Sequence, residues 1–314
     1  MPIAFVFPGQ GSQAVGMGRD LAAAFASARA VFEEVDETLG QKLSKLMFEG
    51  PPEAVQLTEN TQPALMAHSM AALRVIESEG GFRLSDRAVL VAGHSLGEYT
   101  ALAAAGSFGV AQAASLLRVR GTAMQAAVPA GEGAMAALLG CEMDVAAEIC
   151  AEAATAREIV QAANDNGGGQ VVISGARAAV ERAIGIARGR GVKRAMLLPV
   201  SAPFHCALMA PAADAMREAL ERSPPLQPSP PIVANVTATR EDDPAVIARL
   251  LVEQVTGTVR WRESVLAMAA VGIDTFVEVG AGKVLSGLIR RILPDSTTLS
   301  AGTPAEIEAL LKAL

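Results

Sequence analysis

Short apolar runs alternate with longer amphipathic stretches along most of the chain. Ile3–Phe7 is apolar throughout and ends at Pro8-Gly9, which predicts a central strand followed by a loop. Residues 89–92, 232–236 and 275–279 are similar runs and read as further strands. Between them, apolar residues recur at helical spacing. Ala28, Val31, Phe32, Val35 and Leu39 follow the i, i+3, i+4, i+7 rule, with Ser27 as the expected N-cap and Gly40 as the stop. Helices are also predicted over 63–76, with Pro63 in the first turn, and over 110–124, 246–255, 263–270, 284–293 and 304–311. Strands that are apolar on both faces and alternate with helices predict a mostly parallel sheet covered on both sides. The fold class is α/β.

The rhythm changes between residues 133 and 199. Strands are expected at 134–139, 159–163, 170–174 and 194–198, and helices at 144–153 and 178–187. The order β-α-β-β-α-β is that of a ferredoxin-like unit. It divides the chain into a core of residues 1–129 and 200–314 and an inserted subdomain of residues 130–199.

Composition narrows the function classes. The 314 residues are 51% hydrophobic with 29 glycines, so a packed core is expected rather than disorder. Aromatics make up only 4%, so Ala, Val and Leu must fill that core. A net charge of −7 argues against a general nucleic-acid binder. Cys141, Cys150 and Cys206 are too few and too scattered for a disulfide framework or a zinc site. Residues 1–5 lack the basic region of a signal peptide, and no stretch reaches the length of a membrane span. A reducing cytoplasm is the expected compartment.

The strongest chemical signal is Gly93-His94-Ser95-Leu96-Gly97, between the strand run at 89–92 and the small-residue run at 101–105. It fits G-x-S-x-G, the nucleophile elbow, in the strand–turn–helix context that motif requires. Such a turn lifts Ser95 Oγ clear of the sheet and leaves its backbone at a helix N-terminus, which favours an oxyanion. Two rival motifs fail. Gly9-x-Gly11-x-x-Ala14 matches a dinucleotide fingerprint, but Glu33, Glu34 and Asp36 lie in a helical pattern rather than at the end of a second strand. Gly282-Lys283 suggests a phosphate loop, but Val277 and Val284 stand where Gly and Ser/Thr belong. Of the three histidines, His68 sits inside a helix among Ala and Met, and His94 should point away from Ser95. His205, on the loop Val200-Ser201-Ala202-Pro203-Phe204-His205, is the general-base candidate. Arg118 and Arg120 lie on a largely apolar helix, where snorkelling to the surface is the simplest account.

Several linked stretches carry a resemblance. Pro8-Gly9-Gln10-Gly11-Ser12-Gln13, Gly93-His94-Ser95-Leu96-Gly97-Glu98, Arg118-Val119-Arg120-Gly121, Gln170-Val171-Val172-Ile173-Ser174-Gly175, Phe204-His205-Cys206-Ala207-Leu208-Met209 and Glu278-Val279-Gly280-x-Gly282-Lys283-Val284-Leu285 occur in this order. The chain resembles, over essentially its whole length, the malonyl-CoA:acyl carrier protein transacylases of bacterial fatty-acid synthesis. These are similar to the acyltransferase domains of polyketide synthases. The resemblance implies an α/β-hydrolase-like core with a ferredoxin-like insert.

It also implies roles. Ser95 would be the acylated nucleophile and His205 its base, with the backbone N–H groups of Gln10 and Leu96 as the oxyanion hole. Arg120 would hold the malonyl carboxylate, and the backbone carbonyl of Gln254 would orient the histidine, so no Asp is nominated. No metal or redox cofactor is implied. The expected partners are malonyl-CoA and an acidic acyl carrier protein, with no nucleic acid and no membrane, and the chain is expected to be a monomer. Lys193 and Arg194, in a basic run with Arg188 and Arg190, are candidates for docking the carrier, the alternative being a solvated helix end. There are departures from the family pattern. Residues 164–169 are unusually Gly-rich, Ala281 replaces a common Pro, and Phe204 stands where many free-standing members have Ser, which bears on substrate choice. Two other functions stay open at this point, a serine thioesterase or hydrolase and a non-catalytic acyl-carrier docking domain.

Overall fold

The computed structural model describes residues 2–314. Among the described residues the strands are β1 (Ile3–Phe7), β2 (Ala88–Gly93), β3 (Gly133–Leu139), β4 (Val160–Asp165), β5 (Gln170–Ala176), β6 (Arg194–Leu197), β7 (Ile232–Val233), β8 (Arg240–Glu241), β9 (Thr275–Val279) and β10 (Thr297–Ala301). They form two sheets, one of order β10-β9-β1-β2-β7-β8 and one of order β4-β5-β3-β6. The first is parallel except for the β7–β8 pair. The second is antiparallel throughout. The fold is the expected α/β arrangement of a mostly parallel sheet and a second, antiparallel one.

The apolar run of β1 shows why the first sheet is buried on both faces. Ile3, Phe5 and Phe7 pack into one hydrophobic cluster, and Ala4 and Val6 into another. Alternate side chains of one strand therefore meet different helical layers. The second sheet buries Ala134, Ala136 and Leu138 of β3 under the helices Met143–Ala153 and Arg177–Gly189. Met135 and Val172, on its other face, join the main cluster of the first layer. The end of β4 is pinned to the main layer as well. Asp165 N donates to the Val259 carbonyl at 2.9 Å, and Arg262 Nε donates to Asp165 Oδ2 at 2.9 Å.

Several expectations are corrected. The helix expected from Pro63 begins at Thr58 and runs to Gly80, with Pro63 inside it. The extra turn is polar and carries no apolar period; Asn60 and Thr61 side chains hold it to the carbonyls of Ala54 and Val55. Ser27 does not cap its helix, which starts at Ala26 with Phe25 preceding it and no side-chain cap. Gly40 does end it, with φ of 57°. The strand expected over 232–236 stops at Val233. Val89 is 45% exposed, so the β2 run is not wholly buried. Neither β10 nor the helix Ala210–Arg222 is among the elements expected from the sequence.

Candidate active site

The turn from β2 into the helix Leu96–Ala104 is as sharp as the motif demands. A Cβ on Gly93 would lie 1.8 Å from the Gly97 carbonyl oxygen, and one on Gly97 would lie 2.3 Å from the Phe7 carbonyl oxygen. Only glycine fits both places. The tightness leaves Ser95 at φ 56°, a strained value for a residue with a side chain. Asn235, on the chain just past β7, spans the turn and holds it. Its Oδ1 accepts from Ser95 N at 2.8 Å, and its Nδ2 donates to the Gly93 carbonyl at 2.7 Å.

His205 reaches the serine from a loop on the far side of the second sheet's sequence. Its Nε2 lies 2.7 Å from Ser95 Oγ, and its Nδ1 lies 2.8 Å from the backbone carbonyl of Gln254. A carbonyl can only accept, so Nδ1 carries the proton and Nε2 is free to accept from the Ser95 hydroxyl. Gln254 belongs to the last turn of the helix Pro244–Thr256. Burial first, and the Arg120 cation second, push the His205 imidazole down to about 3. The base is therefore held in its neutral, proton-accepting form.

Arg120 is 1% exposed, so it does not snorkel. It lies on the helix Val110–Ala126 and points at the nucleophile: Nη2 donates to Ser95 Oγ at 3.2 Å. Its other acceptors are neutral amides, Gln62 Oε1 at 2.7 Å and Gln254 Oε1 at 2.8 Å. Its carbon Cζ lies 5.7 Å from the centre of the Tyr99 ring. Among the described residues no carboxylate is within ion-pair distance of it. A buried cation without a counter-ion is costly, and the arrangement is suited to receiving an anion beside Ser95.

Ser95 and His205 open onto a cleft of about 820 Å³. It is lined by the loop after β1, including Gln10, and by Asn164 of β4, Asn166 of the β4–β5 turn and Gln170 of β5. Val284, Leu285 and Leu288 wall it from the helix Val284–Ile292. That helix is fixed by the buried Glu278, whose carboxylate accepts from Leu285 N and Ser286 N. Gln10 lines the cleft, and among the described residues neither its backbone N–H nor that of Leu96, next to Ser95 in the chain, donates to a protein acceptor. Phe204 lines the cleft and is otherwise buried in the main cluster.

The remaining sequence candidates make no hydrogen bond to Ser95 Oγ. His94 lines the same cleft, and its Nε2 donates to Asn166 Oδ1 at 2.9 Å. His68 is buried, with Nε2 donating to the Gly302 carbonyl at 2.8 Å. Arg118 is half-buried and donates to Gln41 Oε1 and Asn60 Oδ1. Lys193 and Arg194 are exposed at the start of β6, away from the catalytic groups. Sequence reasoning missed Gln62, Glu98, Asn166 and Asn235, which hold Arg120, Gln254, His94 and the elbow. Glu98 alone carried a signal, as a lone acid in a run that is otherwise small and apolar.

The acyl transferase domain family matches residues 4–304. A malonyl CoA-acyl carrier protein transacylase of Bacillus subtilis (strain 168) is 43% identical over 312 residues, covering 99% of this chain and 97% of the relative. One of Escherichia coli (strain K12) is 44% identical over 309 residues, covering 98% of each. Among solved structures, an acyl-carrier-protein-S-malonyltransferase of Bartonella henselae has a TM-score of 0.97 at 55% identity, covering 100% of this chain and 99% of its own. A malonyl-transacylase in complex with its type II PKS acyl-carrier protein has a TM-score of 0.96 at 41% identity, covering 100% of both chains.

Proposed function

This chain belongs to the acyl transferase domain family, and we propose that it carries a malonyl group from malonyl-CoA to the phosphopantetheine thiol of an acyl carrier protein, through a malonyl ester on Ser95. The observation that carries the reading is the buried Arg120 guanidinium, without a counter-ion, 3.2 Å from the Oγ of a serine paired with a neutral histidine.

In the first half-reaction Ser95 Oγ attacks the thioester carbonyl as its proton passes to His205 Nε2. The oxyanion lies against the N–H groups of Gln10 and Leu96. As the carbon–sulfur bond breaks, the CoA sulfur takes the proton from Nε2. In the second half-reaction the carrier thiol gives its proton to Nε2 and attacks the ester, and Ser95 Oγ leaves with that proton. Arg120 receives the distal carboxylate through its planar fork. Phe204 crowds the α-carbon of the acyl group. The Gln254 carbonyl keeps the proton on Nδ1 in each direction. No cofactor enters these steps.

Residues 1–129 and 200–314 serve as the catalytic core and residues 130–199 as the inserted subdomain that completes the cleft. The enzyme acts as a monomer in the cytoplasm, supplying the extender unit for fatty-acid synthesis. Lys193 and Arg194 help dock the carrier. Two observations support that part. Arg190 is neutralised by Glu148 and Glu152, whereas Lys193 and Arg194 form no ion pair among the described residues. Their strand then leads through exposed Met196 and Leu197 to Leu198, Pro199 and Val200 at the cleft.

Intact mass tests the reading. Malonyl-CoA without acceptor should add one malonyl group, and Ser95→Ala should abolish the adduct while the protein stays folded. His205→Ala should slow both half-reactions, since one base serves each. An adduct that persists in Ser95→Ala overturns the mechanism, and release of free malonate in place of transfer to a carrier thiol would return the thioesterase reading.

A further inference from the structure

Glu98 has no part in the steps above, yet it is 2% exposed and lies directly behind the nucleophile. It sits in the first turn of the helix Leu96–Ala104. Its Oε2 accepts from Gln254 Nε2 at 2.6 Å and is 3.4 Å from Asn235 N. Its Oε1 makes no hydrogen bond among the described residues.

The Gln254 side chain thus stands between a carboxylate and a guanidinium. Its Nε2 faces acceptors only: Glu98 Oε2 at 2.6 Å, the Ser95 carbonyl at 2.9 Å and Asn235 Oδ1 at 3.3 Å. Its Oε1 faces the donor Arg120 Nη2 at 2.8 Å. Turning the amide over would set NH2 against guanidinium and oxygen against carboxylate. Glu98 provides the shortest of the three acceptors and the one able to carry charge. The interposed amide also keeps the carboxylate from pairing directly with Arg120, which would neutralise the cation before substrate arrived.

We propose that Glu98 is a positioning residue for malonyl selectivity: it fixes the Gln254 amide so that Arg120 is aimed at Ser95 and left free for the substrate carboxylate. The inference rests on the malonyl-transfer reading of this site. Burial pushes the Glu98 carboxyl up to about 7, against the opposing influence of its hydrogen bonds and of Arg120. Near neutral pH the group is thus divided between its charged and neutral forms, both of which keep an oxygen able to accept from Gln254 Nε2, and an amide should replace it.

The test compares Ser95 acylation by malonyl-CoA and by acetyl-CoA in the full chain, as a ratio of kcat/KM. Acetyl has no distal carboxylate and does not use the aimed guanidinium. Glu98→Ala and Glu98→Asp, which remove or withdraw the acceptor, should each lower the malonyl-to-acetyl ratio about tenfold. Glu98→Gln can place its oxygen where Oε2 lies and its NH2 where the unbonded Oε1 lies, so it should hold the ratio within about threefold of wild type. Should Glu98→Ala fail to fold, Glu98→Asp decides. A ratio unchanged in the Asp variant, or equal loss of both substrates in the variants, overturns the inference and shows a purely structural acid. A wild type with no malonyl preference would instead bring down the functional reading on which it stands.

Discussion

Arg120 Nη2 lies 3.2 Å from Ser95 Oγ, and its other bonds go to uncharged amide oxygens. An acyl group on Ser95 would lie beside the cation, which among the described residues has no carboxylate within ion-pair distance; Glu98 acts on it at longer range, across the Gln254 amide.

Removing it should act selectively. Loss of one partner of a buried, hydrogen-bonded charge pair costs roughly 3–5 kcal/mol, about two to four decades in malonyl kcat/KM. Acetyl transfer by Arg120→Ala should hold steady or rise, because the wild type leaves the guanidinium unmatched over a methyl group. Arg120→Lys should restore only part of the malonyl activity, since an ammonium offers no fork. The malonyl-to-acetyl ratio at matched folded fraction is the measurement, and an unaltered ratio would show that Arg120 does not read the carboxylate.

Acidity gives a second expectation. The His205 imidazole lies at about 3, lowered by burial and by Arg120. A lowered value means that the neutral base survives further into acid. The rate at which an uncharged fluorophosphonate labels Ser95 should therefore stay flat as the pH falls through about 6.5, the ordinary histidine value, and decline only well below it. A midpoint near 6.5 would mean that the ring is solvated and free of Arg120.

The cleft wall bears on acyl size. Phe204 faces the cleft directly before His205. Phe204→Ser should raise methylmalonyl relative to malonyl transfer by about tenfold and by no more than about 200-fold, because one methyl is worth ~1–3 kcal/mol. Competition between the two thioesters in one reaction measures this. An unchanged product ratio would assign the ring to packing alone.

Carrier recognition should be electrostatic. Reversing the charge at Lys193 and Arg194 together should raise KM for the acyl carrier protein and flatten its salt dependence. Acylation by malonyl-CoA should change little, because both residues sit on the surface of the second sheet. Carrier kinetics that stay as in wild type would leave them as a solvated strand end.

The sequence made the elbow legible because glycine at two fixed places and an apolar strand before them leave few other folds. The same holds for β1, whose residues are apolar on both faces. The helix from Thr58 was read short, because its first turn is held by polar side chains and shows no period. β7 was read long for the opposite reason: Val233-Ala234-Asn235-Val236 is mostly apolar, yet the strand stops so that Asn235 can turn onto Gly93 and Ser95. Gln62 and Asn166 were illegible as site residues. An uncharged amide that serves a distant partner has no local signature, and Gln62 meets Arg120 across 58 positions of sequence.

The nucleophile and its base are 110 residues apart, and the base and the carbonyl that orients it another 49. The cleft wall at Val284 and Leu288 comes later still. A ribosome adding about 5–20 residues per second would take roughly 8–32 s to travel from Ser95 to Gln254. Throughout that interval the emerging chain holds a serine with no aligned imidazole beside it. A nascent chain should thus stay chemically silent at Ser95 until Gln254 has been added.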